Sequence, residues 1–235
     1  MLPNYNSVEE LFSQCGLTLT PSLYTMLDQY AIFLVKCNEM INLTSIVEPN
    51  EIIIKHFIDS IVISNMICIP ENAKVIDVGT GAGFPLLPLK LYRPDISICL
   101  LDSQLKRVKF LQDLTYLLRV DAEIVHDRAE LLSHNEKYRE KFDVCVSRAV
   151  APLPVLCEFC IPFVKCGGDF AALKGPNEDA MDFQSAYKEL GCSLLGQNDY
   201  ELPNGDARRL ILIEKISQTS TDYPRKSAHI MRNPL

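Results

Sequence analysis

Two hydrophobic patterns follow one another along the chain and change near residue 70. Up to that point apolar residues recur at helical spacing, as at Leu23, Leu27, Tyr30 and Leu34, which predicts helices. From Lys74 onward, short apolar runs alternate with helix-like segments, and this alternation is typical of a mostly parallel, doubly wound sheet. Strands are predicted at about 74–78, 96–101, 122–126, 142–147, 168–173, 192–200 and 208–215, and helices at about 85–92, 104–118, 151–163 and 176–190.

These elements predict an α/β fold with a Rossmann-like sheet that carries helices on both faces. We expect a helical N-terminal extension over residues 1–70 and a sheet domain over residues 71–235, forming one compact unit. Ser7 with Glu10 fits a capping box for the first helix, and Thr20 followed by Pro21 fits the start of a second, longer helix. A third helix is predicted from about 49 to 66, and about twenty residues at the end are predicted to form an extended tail.

The strongest chemical signal is a glycine-rich segment after the first predicted strand. The run 75–78 predicts a buried strand, and Gly79, Gly81 and Gly83 follow it. Glycines allow the backbone to turn sharply and to pass close to a ligand where a Cβ would collide. Phe84 stands where a dinucleotide-binding fingerprint would require glycine, and the chain has no P-loop motif. A tight turn that binds nothing is the alternative.

Two acidic residues sharpen this interpretation. Asp77 leads a D-x-G-x-G-x-G pattern, which resembles the first motif of methyltransferases that use S-adenosylmethionine (SAM). Asp102 follows the next apolar run, at the position where nucleotide-binding folds place a carboxylate that binds ribose hydroxyls. An exposed carboxylate at the end of a strand is the alternative for Asp102. Together the two residues favour a nucleoside-containing cofactor, SAM.

Composition limits the class of protein without identifying it. The 235 residues are 48% hydrophobic and 23% charged, which is ordinary for a globular protein. The net charge of −7 argues against a non-specific nucleic-acid binder but leaves room for a local basic face. No apolar run reaches the roughly 18 residues of a membrane span, and the N-terminus lacks the features of a signal peptide. Nine cysteines, an odd number, fit reduced thiols, so we expect a cytoplasmic protein without membrane contact.

A Cys-x-x-Cys pair raises the question of a metal site. Cys157 and Cys160 have no second pair and no histidine at ligand spacing, and they fall inside a predicted helix. Buried thiols are therefore the favoured interpretation, and no metal is predicted.

Nine short blocks, in order along nearly the whole chain, resemble the bacterial 16S rRNA guanine-N7 methyltransferases, the RsmG family, also called glucose-inhibited division protein B. The blocks are Ile41–Thr44, His56–Ser60, Ile76–Pro85, Leu101–Ser103 with Lys106 and Arg107, Arg128–Glu130, Ser147–Ala151, Lys174–Gly175, Arg208–Arg209 and Tyr223–Lys226. The chain departs from the expected family pattern at Cys37, Leu86, Ala228 and Ile230. The departures in the tail put tail-mediated RNA contact in doubt more than catalysis.

The resemblance implies an enzyme that transfers a methyl group from SAM, leaving S-adenosylhomocysteine, to N7 of guanine 527 of 16S rRNA. The implied partner is 16S rRNA or the small ribosomal subunit, and nothing requires more than a monomer. Guanine N7 carries a lone pair and no proton, so the reaction needs positioning more than a general base. The alternatives are a SAM methyltransferase acting on a small molecule or protein, and a non-catalytic nucleotide-binding or RNA-binding protein of the same fold.

The resemblance and the motifs together nominate site residues. For the cofactor they are Gly79, Gly81, Gly83, Phe84, Asp102, Ser103, Ala129, Glu130 and Arg148. Besides Asp102, three of these have structural alternatives: Phe84 as a core aromatic residue, Glu130 as a solvated residue at a helix start, and Arg148 as part of an interior ion pair.

For the RNA, His56 and Asp59 are candidates to line a guanine pocket, with a core histidine paired to its helix neighbour as the alternative. Basic residues are candidate phosphate contacts, of which we expect about half to matter. They are Lys106, Arg107, Lys165, Lys174, Arg208, Arg209, Arg225 and Lys226.

Overall fold

A computed structural model describes residues 1–148, 151–178 and 180–235 of the chain. Two residues of the Ser147–Ala151 block, Ala149 and Val150, lie outside the described residues. Over the described residues, no helix is long and apolar enough to cross a membrane.

A single mixed sheet forms the centre of the described chain, in the order β3-β2-β1-β4-β5-β7-β6. The strands β1 to β5 are parallel, while β7 runs antiparallel to both β5 and β6. The mostly parallel, doubly wound sheet is thereby confirmed. The strand bounds are β1 Lys74–Val78, β2 Ser97–Asp102, β3 Glu123–His126, β4 Phe142–Arg148, β5 Val164–Lys174, β6 Cys192–Glu201 and β7 Ala207–Lys215.

The N-terminal segment is helical, as predicted, but its third helix is irregular. The helices are α1 Tyr5–Gln14, α2 Pro21–Ile41, α3 Pro49–Glu51 and α4 Asp59–Ile61, with a π-helix over Ile52–Ile58 and a 3-10 turn over Val62–Asn65. Thr20 caps α2 by accepting the Leu23 N–H. The predicted capping box is wrong, because Asn4 accepts the Ser7 N–H and starts α1 earlier.

The remaining helices follow the strands. They are α5 Leu86–Tyr92, α6 Leu105–Leu118, α7 Ala129–Leu132, α8 Leu153–Cys160, α9 Gln184–Leu190 and α10 Ser227–Arg232, with 3-10 turns at Ile161–Phe163 and Ala180–Phe183. The prediction of an extended tail is wrong at α10. The reason is tertiary: Ile230 is fully buried, so part of this short helix packs on the protein.

The alternating residues of the central strands face two hydrophobic layers. Val75 of β1 belongs to the core under α2, α5 and α6, whereas Ile76 belongs to the core under α8 and α9. The first of these cores also contains residues of the N-terminal extension, among them Leu27 and Tyr30, which are fully buried. The N-terminal helices therefore pack directly on one face of the sheet.

Candidate functional site

The glycine-rich loop after β1 is bound to the end of β2. The Gly79 N–H donates to the carbonyl oxygen of Leu101 at 2.9 Å, and the Gly81 N–H donates to Asp102 Oδ2 at 3.0 Å. Gly79, Gly81 and Gly83 have φ of 75°, 61° and 98°, in the left-handed region that favours glycine. The loop turns at the carboxyl edge of the sheet between β1 and β4, where the strand order reverses and doubly wound folds bind ligands.

Gly81 and Gly83 meet different requirements. A Cβ on Gly81 would find only the carbonyl oxygen of Gly79, at 4.0 Å, so the space beside it is open to a ligand. A Cβ on Gly83 would lie 2.5 Å from the Tyr30 hydroxyl and 3.2 Å from Leu87 Cβ. Gly83 therefore permits the close packing of the loop on α2.

Asp102, the last residue of β2, is buried, so the exposed-carboxylate alternative is wrong. Its side chain is 2% exposed. Oδ1 accepts the Gln104 N–H at 2.8 Å, and Oδ2 accepts the Gly81 N–H and lies 3.4 Å from Arg107 Nη1. A carboxylate offers about four lone-pair sites, so Asp102 retains capacity for ligand hydroxyl groups.

Asp77 lies beneath the loop with an unusual environment. It is fully buried, and its Oδ2 accepts the Leu86 N–H at the start of α5, at 3.3 Å. Among the described residues, Asp77 Oδ1 and the Thr80 hydroxyl have no hydrogen bond of regular geometry, although Thr80 lies close enough to lower the pKa of Asp77 in part. Burial raises the pKa of the Asp77 carboxyl from 3.8 to about 7. Asp77 thus connects β1 to α5 from within the core.

Two cavities open at this edge of the sheet and share Gly79, Asp102 and Ser103 in their walls. The larger cavity has a volume of about 720 Å³ and extends toward the N-terminal extension and β7. The smaller cavity has a volume of about 220 Å³ and lies at the ends of β2 and β3. A ligand that occupied both cavities would pass the Asp102 carboxylate.

The smaller cavity contains the predicted pair Ala129 and Glu130. The Glu130 side chain is 8% exposed, and its Oε1 accepts from Arg128 Nε at 2.6 Å, so it is not a solvated residue at a helix start. Phe159, Ser227 and Met231 complete this wall. No sequence pattern identified these three residues, because only the folded chain brings α8 and α10 to the end of β3.

Phe84 lies in a cluster of rings at one side of the larger cavity. Its ring stacks with that of Tyr30, at 5.3 Å between centroids, and with that of His56, at 4.3 Å. The Arg148 guanidinium carbon lies 5.1 Å from the Phe84 centroid. Phe84 is 6% exposed, so it is a core aromatic residue with an edge on the cavity wall.

His56, on the π-helix, is a neutral residue of the cavity wall. Its Nε2 lies 2.9 Å from Thr44 Oγ1, and its Nδ1 lies 3.5 Å from Arg148 Nη2. Burial, with a further contribution from the Arg148 charge, lowers the pKa of His56 from 6.5 to about 3.

Asp59 is buried between two cationic side chains. Its Oδ2 accepts from Arg148 Nη1 at 3.0 Å, and its Oδ1 accepts from the Tyr200 hydroxyl at 2.9 Å and lies 3.6 Å from Arg208 Nε. The interior ion pair foreseen for Arg148 therefore exists, although Arg148 also lines the larger cavity. His56 and Asp59 both face this cavity, and Arg148 connects them. No sequence pattern indicated Tyr200.

The predicted RNA-binding cations have different locations. Arg107, Lys174 and Arg208 line the larger cavity, each in an ion pair. Lys106 and Lys226 are exposed.

The other three cations do not line that cavity, and each pairs with a carboxylate. Arg209 pairs with Asp199, and Arg225 pairs with Glu158. Lys165 pairs with Asp143 at the start of β5, which is the opposite edge of the sheet from the two cavities.

Cys157 and Cys160 are fully buried in α8, and burial raises the pKa of both thiols. Within the described ranges, no group of His, Cys, Asp and Glu side chains could hold a metal ion.

Known proteins resemble this chain over most of its length. A family model described as rRNA small subunit methyltransferase G (GidB) matches residues 23–210. A protein named ribosomal RNA small subunit methyltransferase G from Desulforamulus reducens is 42% identical over 221 residues, which cover 92% of each chain. A protein of the same name from Clostridium novyi is 45% identical over 216 residues, covering 90% of this chain and 89% of the relative.

Solved structures support the fold. The YcgJ protein of Bacillus subtilis superposes with a TM-score of 0.51 at 12% identity, over 70% of this chain and 100% of that one. At this identity the likeness concerns the fold, and it confirms the Rossmann-like architecture.

Proposed function

The chain belongs to the rRNA small subunit methyltransferase G family, and from this premise we propose that it methylates N7 of guanine 527 in 16S rRNA with SAM as donor. The observation that carries the proposal is the pair of adjacent cavities with Asp102 in their shared wall. The smaller cavity suits the adenine end of the nucleoside, and the larger cavity offers space beside it for the target base. S-adenosylhomocysteine is the product of the donor.

The described residues fit SAM at several points. Asp102 would accept hydrogen bonds from the ribose hydroxyls, and the open space beside Gly81 would admit the ligand against the backbone. Ala129 and Glu130 in the smaller cavity would contact the adenine ring. Arg148 would face the methionine carboxylate from the larger cavity. When bound, SAM supplies an electrophilic methyl group on a cationic sulfur.

The residues of the larger cavity would position the target base. Guanine N7 has no proton to remove, so the neutral His56, whose Nε2 faces Thr44 and whose Nδ1 faces Arg148, need not act as a base. Its ring and the edge of Phe84 would contact the base, and Asp59 would hold Arg148 in place. Orientation of this kind can lower a reaction barrier by several kcal/mol.

The RNA would approach the open side of the larger cavity. Side chains cannot read the narrow major groove of an RNA helix, so the target guanine must lie in a loop or leave its stack. Lys106, exposed at the start of α6, and Arg208 on the cavity wall are the cations best placed to contact phosphates. An rRNA substrate implies that the protein works in the cytoplasm, and we propose that it acts as a monomer.

Methyl transfer from labelled SAM tests the proposal. Unmodified 16S rRNA is offered both free and within small ribosomal subunits, and the labelled nucleoside is identified by mass spectrometry. We expect one 7-methylguanosine, at position 527, and the better substrate identifies the assembly stage. Label at another atom, or no label in RNA from a protein that binds SAM, would refute the proposed reaction.

A matched pair of glycine variants tests the cofactor site. Gly81→Val places its side chain in the open space beside the loop, whereas Gly167→Val introduces similar strain (φ 61° and 78°) where a Cβ meets nothing within 4 Å. We expect Gly81→Val to weaken SAM binding at least tenfold and Gly167→Val to leave it unchanged. Equal SAM affinity in the two folded variants would contradict the loop assignment.

A second pair tests the RNA surface. Lys106→Ala should weaken rRNA binding and reduce the slope of log Kd against log salt by about 1, because one phosphate contact is lost. Lys165→Ala, at the opposite edge of the sheet, should change neither quantity. The same slope for both variants would remove Lys106 from the RNA footprint.

A further inference from the structure

The C-terminal helix α10 forms one wall of the smaller cavity. Ser227 and Met231, four residues apart and therefore on one side of the helix, line this cavity together with Glu130. Met231 is 59% exposed, whereas the adjacent Ile230 is fully buried. The helix thus packs on the protein through Ile230 and leaves an apolar thioether at the cavity, where a bound ligand would cover it.

A buried ion pair fixes the segment that leads into α10. Glu158 of α8 is fully buried, and Arg225 binds it with both its side chain and its backbone. Arg225 Nη2 lies 2.7 Å from Glu158 Oε2, and the Arg225 N–H lies 2.7 Å from Oε1. Arg225 Nη2 also donates to the carbonyl oxygen of Asn233, which follows α10. Arg225, nominated above as a phosphate contact, therefore anchors both ends of α10.

Further hydrogen bonds hold the same segment from the other side. Arg139 donates to the carbonyl oxygens of Thr219, Ser220 and Tyr223, at 2.9 to 3.0 Å. His134 Nε2 lies 3.0 Å from the carbonyl oxygen of Pro224. The approach to α10 is thus fixed to the region after β3, which supplies the other wall of the cavity.

We propose that α10 forms part of the adenosine subsite, and that Ser227 and Met231 position the adenine ring of the cofactor. The inference rests on the proposed function, because it takes SAM as the ligand of the two adjacent cavities. Met231 offers a polarizable thioether, a favourable contact for an aromatic ring, and Ser227 offers a hydroxyl for a ring nitrogen. Glu158 and Phe159 are consecutive in α8, so the anchor of the tail and a wall of the cavity belong to the same helical turn.

Met231→Trp tests the inference, with Arg232→Trp as the matched control. The first variant places an indole at the smaller cavity, and the second places it on the neighbouring exposed position of the same helix. S-adenosylhomocysteine is the probe, and its Kd is measured by titration calorimetry. We expect Met231→Trp to raise the Kd at least tenfold and Arg232→Trp to change it less than twofold. In turnover assays, the KM for SAM should rise in Met231→Trp while the KM for rRNA stays constant.

Limited proteolysis of the unmodified protein provides an independent measurement. Trypsin can cleave after Lys226, which is exposed at the start of α10, and saturating S-adenosylhomocysteine should slow this cleavage at least fivefold. An unchanged Kd in Met231→Trp, or cleavage at an unchanged rate, would overturn the inference. A protein that binds S-adenosylhomocysteine and shows both effects but leaves rRNA unlabelled would refute the proposed function alone. Failure of the unmodified protein to bind S-adenosylhomocysteine would refute both.

Discussion

Replacing Asp77 by asparagine should change how the stability of the protein depends on pH. Burial raises the pKa of this carboxyl from 3.8 to about 7 in the folded chain. Between these values the folded state keeps a proton that the unfolded state has lost, so stability falls as pH rises through the window and is constant above it. At 1.36 kcal/mol for each pH unit, the difference between the folded and unfolded pKa values corresponds to at most about 4 kcal/mol of folding stability. About 2.5 kcal/mol of this loss falls between pH 5 and 8.

Urea unfolding at pH 5, 6, 7 and 8 measures this effect as a difference between Asp77→Asn and the unmodified protein. Subtraction of the two curves cancels the other titrating groups. From pH 5 to pH 8, the free energy of unfolding of the variant should rise by about 2.5 kcal/mol relative to that of the unmodified protein. Asp95→Asn is the control: the pKa of Asp95 is lowered to about 2, so its difference should be flat from pH 5 to 8. A flat difference for Asp77→Asn as well would refute the argument that Asp77 is buried without full hydrogen bonding.

Three further changes have expected outcomes in the same unfolding assay. The folded pKa of His56 is lowered from 6.5 to about 3, so the unmodified protein should lose about 2 kcal/mol relative to His56→Gln as pH falls from 7 to 5, and equal curves would contradict a buried neutral ring. Gly83→Ala should lower the free energy of unfolding by about 3 kcal/mol, because its Cβ would meet the Tyr30 hydroxyl at 2.5 Å. Gly167→Ala has a strained backbone but no obstruction, so it should lower the free energy of unfolding by about 1 kcal/mol, and similar losses would contradict the packing role. Arg225→Ala should cost about 3 kcal/mol or more by leaving the Glu158 charge buried and unpaired, and adding Glu158→Gln should recover part of this loss; no recovery would contradict the pair as the cause.

The sequence alone predicted the sheet and the position of the glycine-rich loop after β1. Strands such as β1 and β4 are short apolar runs, and in the folded chain they are buried in the centre of the sheet. Their local sequence pattern therefore matches the environment that they have in the fold. The cap of α1 was predicted wrongly because Asn4, rather than Ser7, accepts the backbone N–H at the helix start. The helix α10 was not predicted because it depends on the burial of Ile230 in the folded chain. The packing of Gly83 against Tyr30 had no sequence signal, since only the folded chain brings the Tyr30 hydroxyl beside it.

The candidate RNA-binding cations show a second limit of sequence reasoning. A charged residue in a matching block gives no information about its partner, and Arg225 and Lys165 each have a carboxylate within the chain. Their ion pairs form between residues distant in sequence or between neighbouring strands, so no local spacing indicates them. The hydrogen bond from the Tyr200 hydroxyl to Asp59 joins residues 141 positions apart, so no local spacing indicates it either.

Residues on both sides of the boundary at residue 70 contribute to the candidate site. Tyr30 of α2 is fully buried, donates to the Ala82 carbonyl oxygen at 2.5 Å and stacks on Phe84, so the extension supports the glycine-rich loop. His56 and Asp59 belong to the same extension, yet they contact Arg148 at the end of β4. If the larger cavity holds the guanine, as we propose, the extension supplies the base side of the site while the strand ends supply the cofactor side. Removal of residues 1–70 should therefore disrupt the cofactor loop as well as the base site.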